Sequence, residues 1–158
     1  MELQTVTEQD KPILKNLLQF YIYEFSQFVP DIKLEPDGTY QPFDLQKYRE
    51  DLHSHAFIIR EEGELAGLAL VKEGTKEEPS IIEQFFIMRK FMGRGIGREA
   101  ALQLFDRFPG KWKVWQIAKN EPARIFWRKV ICEYTHGHYN ESPGEEGRTV
   151  QEFEAAGR

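Results

Sequence analysis

The 158-residue chain is 41% hydrophobic and 30% charged, a balance that suits one globular domain over residues 1–158 and excludes a disordered segment. Its formal net charge of −5 lacks the basic excess of a nucleic-acid binder, so no nucleic-acid partner is expected. One cysteine, Cys132, allows no internal disulfide and reads as a packing residue; with no bilayer-length apolar run and no leader pattern at residues 1–5, no membrane partner is expected and a cytoplasmic location is the default.

Residues 2–6 read as a short strand, followed by a helix capped by Thr7 or Asp10, with Pro12 in its first turn. Ile13, Leu17, Leu18, Tyr21, Ile22 and Phe25 recur at helical spacing and form a core-facing stripe. The loop over 25–40, with Pro30, Pro36 and Gly38, is irregular and a candidate substrate wall; a polar helix is expected over 43–52. Strands over 55–60 and 65–71 flank the turn Glu61-Glu62-Gly63-Glu64. The dense apolar run 80–88 reads as a central strand buried on both faces. A helix over 98–108, a strand over 113–118 and a short helix over 121–130 follow. Strands over 134–140 and 149–155, joined by a polar turn at 142–147, complete one α/β domain.

Between the central strand and the 98–108 helix lies Met92-Gly93-Arg94-Gly95-Ile96-Gly97-Arg98. Glycines there allow unusual backbone angles and close approach of an anion to backbone amides, which the helix dipole favours. Arg89, Lys90, Arg94 and Arg98 add cationic reach. The turn reads either as a pyrophosphate cradle or as a tight turn that simply requires glycine. It is not the dinucleotide fingerprint, because Arg98 and Ala100 stand where a third glycine is needed, and no Gly-Lys-Ser/Thr follows.

The turn resembles the main motif of the GNAT acetyltransferases, Arg/Gln-x-x-Gly-x-Gly/Ala, with Met92 at its first position and Gly95 and Gly97 at its glycines. Asn120-Glu121-Pro122-Ala123-Arg124-Ile125-Phe126-Trp127 looks like the family's Asn-x-x-Ala-x-x-x-Tyr stretch, ending in Trp127 rather than tyrosine. The resemblance implies a GNAT α/β (α+β) fold. Its mixed, mostly antiparallel sheet has six to seven strands flanked by about four helices, with a splayed V between the two central strands. It further implies acetyl-CoA as cofactor and a primary amine of a small molecule or protein as acceptor. The turn Gly93, Arg94, Gly95, Ile96, Gly97 and Arg98 would hold the pyrophosphate. The backbone of Phe85, Phe86 and Ile87 would pair with pantetheine, with Asn120 and Trp127 beside it. Read alone, Asn120 is a cap and Trp127 a core aromatic. A homodimer is left open.

An amine must lose a proton before it attacks a thioester, so a base is needed. Glu83 is the candidate: it interrupts the apolar strand, and alternation puts it on the face of Ile81, Phe85 and Ile87. The plainer reading is a carboxylate that meets water or pairs with an arginine. With Trp127 in place of tyrosine, Tyr134 and Tyr139 are the alternative proton donors to the leaving thiolate. His53 with His55, and His136 with His138, lie two apart as on one strand face; without further ligands at metal spacing, no metal is expected. A catalytically degenerate acyl-CoA-binding domain is the competing function.

Overall fold

In a computed structural model that describes residues 1–157, β1 (Glu2–Thr5) ends at a turn fixed by side-chain chemistry. The Asp10 carboxylate accepts both the N–H and the hydroxyl of Thr7 at 2.9 Å. Helix α1 (Lys11–Ser26) starts there, with Pro12 in its first turn, where a missing N–H costs nothing. It buries Leu14, Leu17, Leu18 and Ile22. Residues 27–46 wander, and the expected helix over 43–52 shrinks to one turn, α2 (Lys47–Glu50).

Strands β2 (Ser54–Glu61) and β3 (Glu64–Lys72) form the expected hairpin. Glu62 at φ 51 and Gly63 at φ 81 make the left-handed two-residue turn that matches strand twist. Next come β4 (Ser80–Ile87), α3 (Ile96–Arg107) and β5 (Gly110–Gln116). Helix α4 (Glu121–Thr135), β6 (Asn140–Pro143) and β7 (Thr149–Ala155) complete the chain. The seven strands form one sheet in the order β1-β2-β3-β4-β5-β7-β6. Every neighbouring pair is antiparallel except β4 with β5.

The strand expected over 134–140 is instead the end of α4 and its cap. Val130, Ile131 and Tyr134 are buried at helical spacing, so packing carries the helix a turn further. His136 at φ 53 and Gly137 at φ 82 then stop it with a left-handed cap, whose N–H groups return to Cys132 and Glu133 carbonyls. His136 and His138 therefore share no strand face. Cys132 is exposed on α4 rather than packed.

The sheet separates two cores. One lies under α3 and α4 and holds Phe57, Ile59, Ala69, Val71, Ile82, Leu104 and Phe105. The other lies under α1 and holds Ala56, Ile58, Leu68, Leu70 and Phe86. β3 is pressed so closely on β4 that a Cβ at Gly67 would sit 2.1 Å from the Phe86 carbonyl oxygen. Glycine is required there by space.

Candidate active site

β4 and β5 pair through Ser80 with Trp112 and Ile81 with Lys113, and then part. Beyond that point β5 no longer covers the edge of β4, and a V opens between them. The V widens into a cleft of about 420 Å³, walled by Tyr21 and Phe25 of α1, Glu83 to Phe85 of β4, and Trp115 and Gln116 of β5. Asn120, Trp127 and Arg148 also line it. The opening corrects the expectation that β4 is buried on both faces: Ile81, Glu83, Gln84, Phe85 and Ile87 are only half-buried.

Glu83 lies on a β-bulge. Val71 pairs with Ile82, yet the preceding Leu70 pairs with Gln84, so Glu83 is one residue extra to the ladder. The bulge breaks the alternation. Ile82, Phe85 and Ile87 pack on the α3/α4 side, whereas Glu83 and Gln84 both reach the α1 side. Glu83 therefore does not share the face of Phe85 and Ile87. Nor is its setting apolar: Lys47 Nζ donates to one carboxylate oxygen at 2.7 Å and the Tyr48 hydroxyl to the other at 2.8 Å. Burial, followed by the neighbouring Glu83 carboxylate, pushes the Tyr48 hydroxyl up and keeps it a donor. Next to it, the Tyr21 hydroxyl donates to Gln84 Oε1. Burial pushes Tyr21 up to about 12, so it too stays protonated.

At the far end of β4 the chain turns through Gly93 at φ 76 and Gly95 at φ 79, angles that L side chains resist. A Cβ at either would meet nothing within 4 Å, so here backbone conformation, not crowding, calls for glycine. Gly97 differs: its Cβ would approach Ile87 and Phe126 side chains at 3.2 Å, so glycine lets α3 sit close to β4 and α4. Gly95 is the left-handed N-cap of α3 and offers no side-chain cap. Among the described residues, the N–H groups of Ile96, Gly97 and Arg98 find no acceptor. Free donors at a twelve-residue helix N-terminus, on an open glycine turn, fit an anionic diphosphate.

The four cations near the turn are not equally available. Arg89 makes two bonds to Glu24, at 2.6 and 3.0 Å; Lys90 reaches Glu64 at 2.6 Å; Arg98 pairs with Glu133 at 2.8 Å. Arg94 has no acidic partner among the described residues and rests 5.3 Å from the centre of the Phe91 ring. Met92 is exposed beside it.

Asn120 caps α4, its Oδ1 accepting the Ala123 N–H at 3.2 Å, and it also lines the cleft. Trp127 is buried at 5% exposure, edge-on to Phe85 at 4.9 Å. Tyr134 donates to Asp106 at 2.8 Å, in the packed layer of Phe105 and Phe153. Neither it nor Tyr139 lines the cleft; Tyr21 does. His55 hydrogen-bonds Glu73 at 2.8 Å, away from the cleft. Sequence reading passes over Tyr21, Gln84, Trp115 and Arg148 as cleft residues. Trp115 carries a signal in retrospect: alternation about Trp112 and Val114 places a large ring on the opposite face. Arg148, beside a polar turn, carries none.

The sequence profile described as acetyltransferase (GNAT) family matches residues 18–131. The chain belongs to this acetyltransferase family. The family's cofactor is acetyl-CoA. Solved structures agree on the fold. An acetyltransferase from Thermus thermophilus is 20% identical, with a TM-score of 0.68 over 97% of this chain and 96% of that one. Spermidine N-acetyltransferase from Vibrio cholerae, solved with CoA and spermine, is 14% identical, with a TM-score of 0.68 over 98% and 95%. The ribosomal-protein-S18-alanine N-acetyltransferase of Escherichia coli is 12% identical, with a TM-score of 0.65 over 99% and 95%. No curated protein matches the chain. Among the described residues, no helix of this GNAT protein is long and apolar enough to cross a membrane.

Proposed function

We propose that this protein is an N-acetyltransferase that moves the acetyl group of acetyl-CoA to a primary amine in a ternary complex. The observation that carries the reading is the V between β4 and β5, which runs from an unpaired strand edge to the uncapped N-terminus of α3. Acetyl-CoA, when bound, supplies an acetyl group activated as a thioester. The turn from Gly93 to Arg98 receives the pyrophosphate on backbone N–H groups, with Arg94 as the cation without a competing acid. The free edge of β4 at Phe85, Phe86 and Ile87 pairs with the pantetheine amides as an added strand, and a backbone N–H there polarises the thioester carbonyl. Asn120, whose Oδ1 caps α4, and Trp127 line the cleft and would lie beside the pantetheine.

Glu83 acts as the base. A carboxylate offers about four lone-pair sites, so the bonds from Lys47 and Tyr48 leave room for a proton taken from the acceptor ammonium, and the neutral amine so formed attacks the thioester carbonyl. A thiol of ordinary pKa, about 8.5, leaves as a thiolate without strong acid assistance, so an indole at Trp127 does not forbid turnover. Trp127 does favour a second reading, an acyl-CoA-binding domain without catalysis, because no hydroxyl stands at that position.

The test has two parts. At one hundred times its dissociation constant, acetyl-CoA adds about 2.7 kcal/mol of apparent stability, a melting rise of roughly 5–10 °C. Thiol release with a panel of amines then separates enzyme from binder. No stabilisation by acetyl-CoA overturns both readings; stabilisation without thiol release overturns the enzyme.

A further inference from the structure

Arg148 stands immediately before β7, in a turn fixed at both of its backbone groups. Its N–H donates to the Glu145 carbonyl at 3.0 Å, and its carbonyl accepts from Gly144 at 2.8 Å. Its guanidinium carbon sits over the Trp115 ring, 4.1 Å from the ring centre. Among the described residues it makes no ion pair and no side-chain hydrogen bond, and its Nε is sealed from solvent without a partner. Arg89, Arg98 and Arg128, in contrast, are each engaged by a glutamate. An Arg that is partly buried, stacked and unpaired has lost water without gaining an anion.

The geometry says which substrate would supply the anion. Trp112 and Val114 face the α3/α4 core, so Trp115, and Arg148 stacked on it, belong to the α1 side of the sheet. The N-terminus of α3, where the diphosphate is placed, lies on the other side. Arg148 is thus set against the acceptor rather than the cofactor. On the opposite wall of the same cleft, the bulge presents Glu83 and Gln84. A carboxylate on one wall and a guanidinium on the other complement an ammonium and an anion on one molecule.

We propose that the acceptor is a small amine that also carries a carboxylate, with Arg148 binding the carboxylate across the face of Trp115. This inference rests on the acetyltransferase reading above. Carboxylate fits better than phosphate, because among the described residues that line the cleft Arg148 is the sole cation, which matches one negative charge and not two. A cleft of about 420 Å³ suits a small molecule. A polycation would meet Arg148 as a like charge.

The experiment measures thiol release from acetyl-CoA with the common L-amino acids, each beside its carboxamide, and with spermidine. Cysteine is left out because its own thiol would register. At least one amino acid should exceed its carboxamide in kcat/KM by ten- to hundredfold, roughly the worth of one charge-assisted bidentate contact. Arg148→Gln should bring that pair to within about twofold, and Arg148→Lys should restore part of the gap. A parallel arm reads melting temperature with CoA present: that amino acid should raise it for the native protein and not for Arg148→Gln. Carboxamides or spermidine used as well as the acids, or a preference that survives Arg148→Gln, would overturn the proposal. So would the absence of both turnover and melting response with every amino acid. Failure of the underlying reading has its own signature, since acetyl-CoA itself would then give no stabilisation.

Discussion

Replacing Glu83 by Gln separates its structural role from its chemical one. The pair with Lys47, whose side chain is 47% exposed, contributes about 0.2–1 kcal/mol. Glutamine keeps an oxygen for the Tyr48 hydroxyl, so that bond weakens from charge-assisted to neutral, at about 1 kcal/mol, and is not orphaned. The sum is roughly 1–2 kcal/mol, a melting decrease of about 2–8 °C for a chain of this length. A positioned base contributes about 10²–10⁴ in rate. Glu83→Gln should therefore melt slightly early, still gain stability from acetyl-CoA, and lose at least a hundredfold in kcat/KM with the best amine found. The assay is thiol release at saturating acetyl-CoA, beside melting curves with and without it. Turnover within about threefold of the native protein would refute the assignment, because a base contributing so little is not one.

Gly67→Ala should lower the melting temperature by at least about 2 °C, since a Cβ at 2.1 Å from the Phe86 carbonyl forces β3 and β4 apart, which costs about 1–3 kcal/mol or more; thermal unfolding reads it. Arg94→Ala should weaken acetyl-CoA binding about tenfold in calorimetric titration and flatten its salt dependence, because Arg94 is the nearby cation with no acidic partner among the described residues. Asp51 is drawn down from 3.8 to about 2, first by the His53 N–H, then by the Ser54 hydroxyl and Lys72. Its folded value lies below its unfolded one, so the stability it adds is present above about pH 3.8 and lost as pH falls toward 2. Asp51→Asn should therefore lose less melting temperature than the native protein over that interval.

Features set by neighbours in the sequence were legible there. The stripe from Ile13 to Phe25, the Glu62-Gly63 hairpin and the glycine turn each rest on spacing or on local backbone demands, and each appears as expected. Features set by distant partners were not. The bulge at Glu83 exists only in the register with β3, and it carries the side chain to the face opposite the one alternation assigns. Lys47 and Tyr48, which hold Glu83, come from a one-turn helix about 35 residues earlier. The glutamates that occupy Arg89, Lys90 and Arg98 come from α1, β3 and α4, so the turn has fewer free cations than its composition suggests. The segment 134–140 reads as strand from sequence because Tyr134 serves a helix stripe that no local window resolves from strand alternation.

The bulge has a consequence for how such a site changes over time. Removing Glu83 would leave Ile82 opposite Val71 and Gln84 opposite Leu70, a regular ladder with every later side chain on its present face. The residue assigned the proton transfer is thus surplus to the architecture. The sheet does not depend on it for register, and it does not depend on the sheet for anything but position. Substitution at this point escapes the packing and register constraints that bind Ile82 and Phe86 on either side, and costs only the bonds to Lys47 and Tyr48. The chemistry of the cleft can be retuned one residue at a time while the scaffold stays the same.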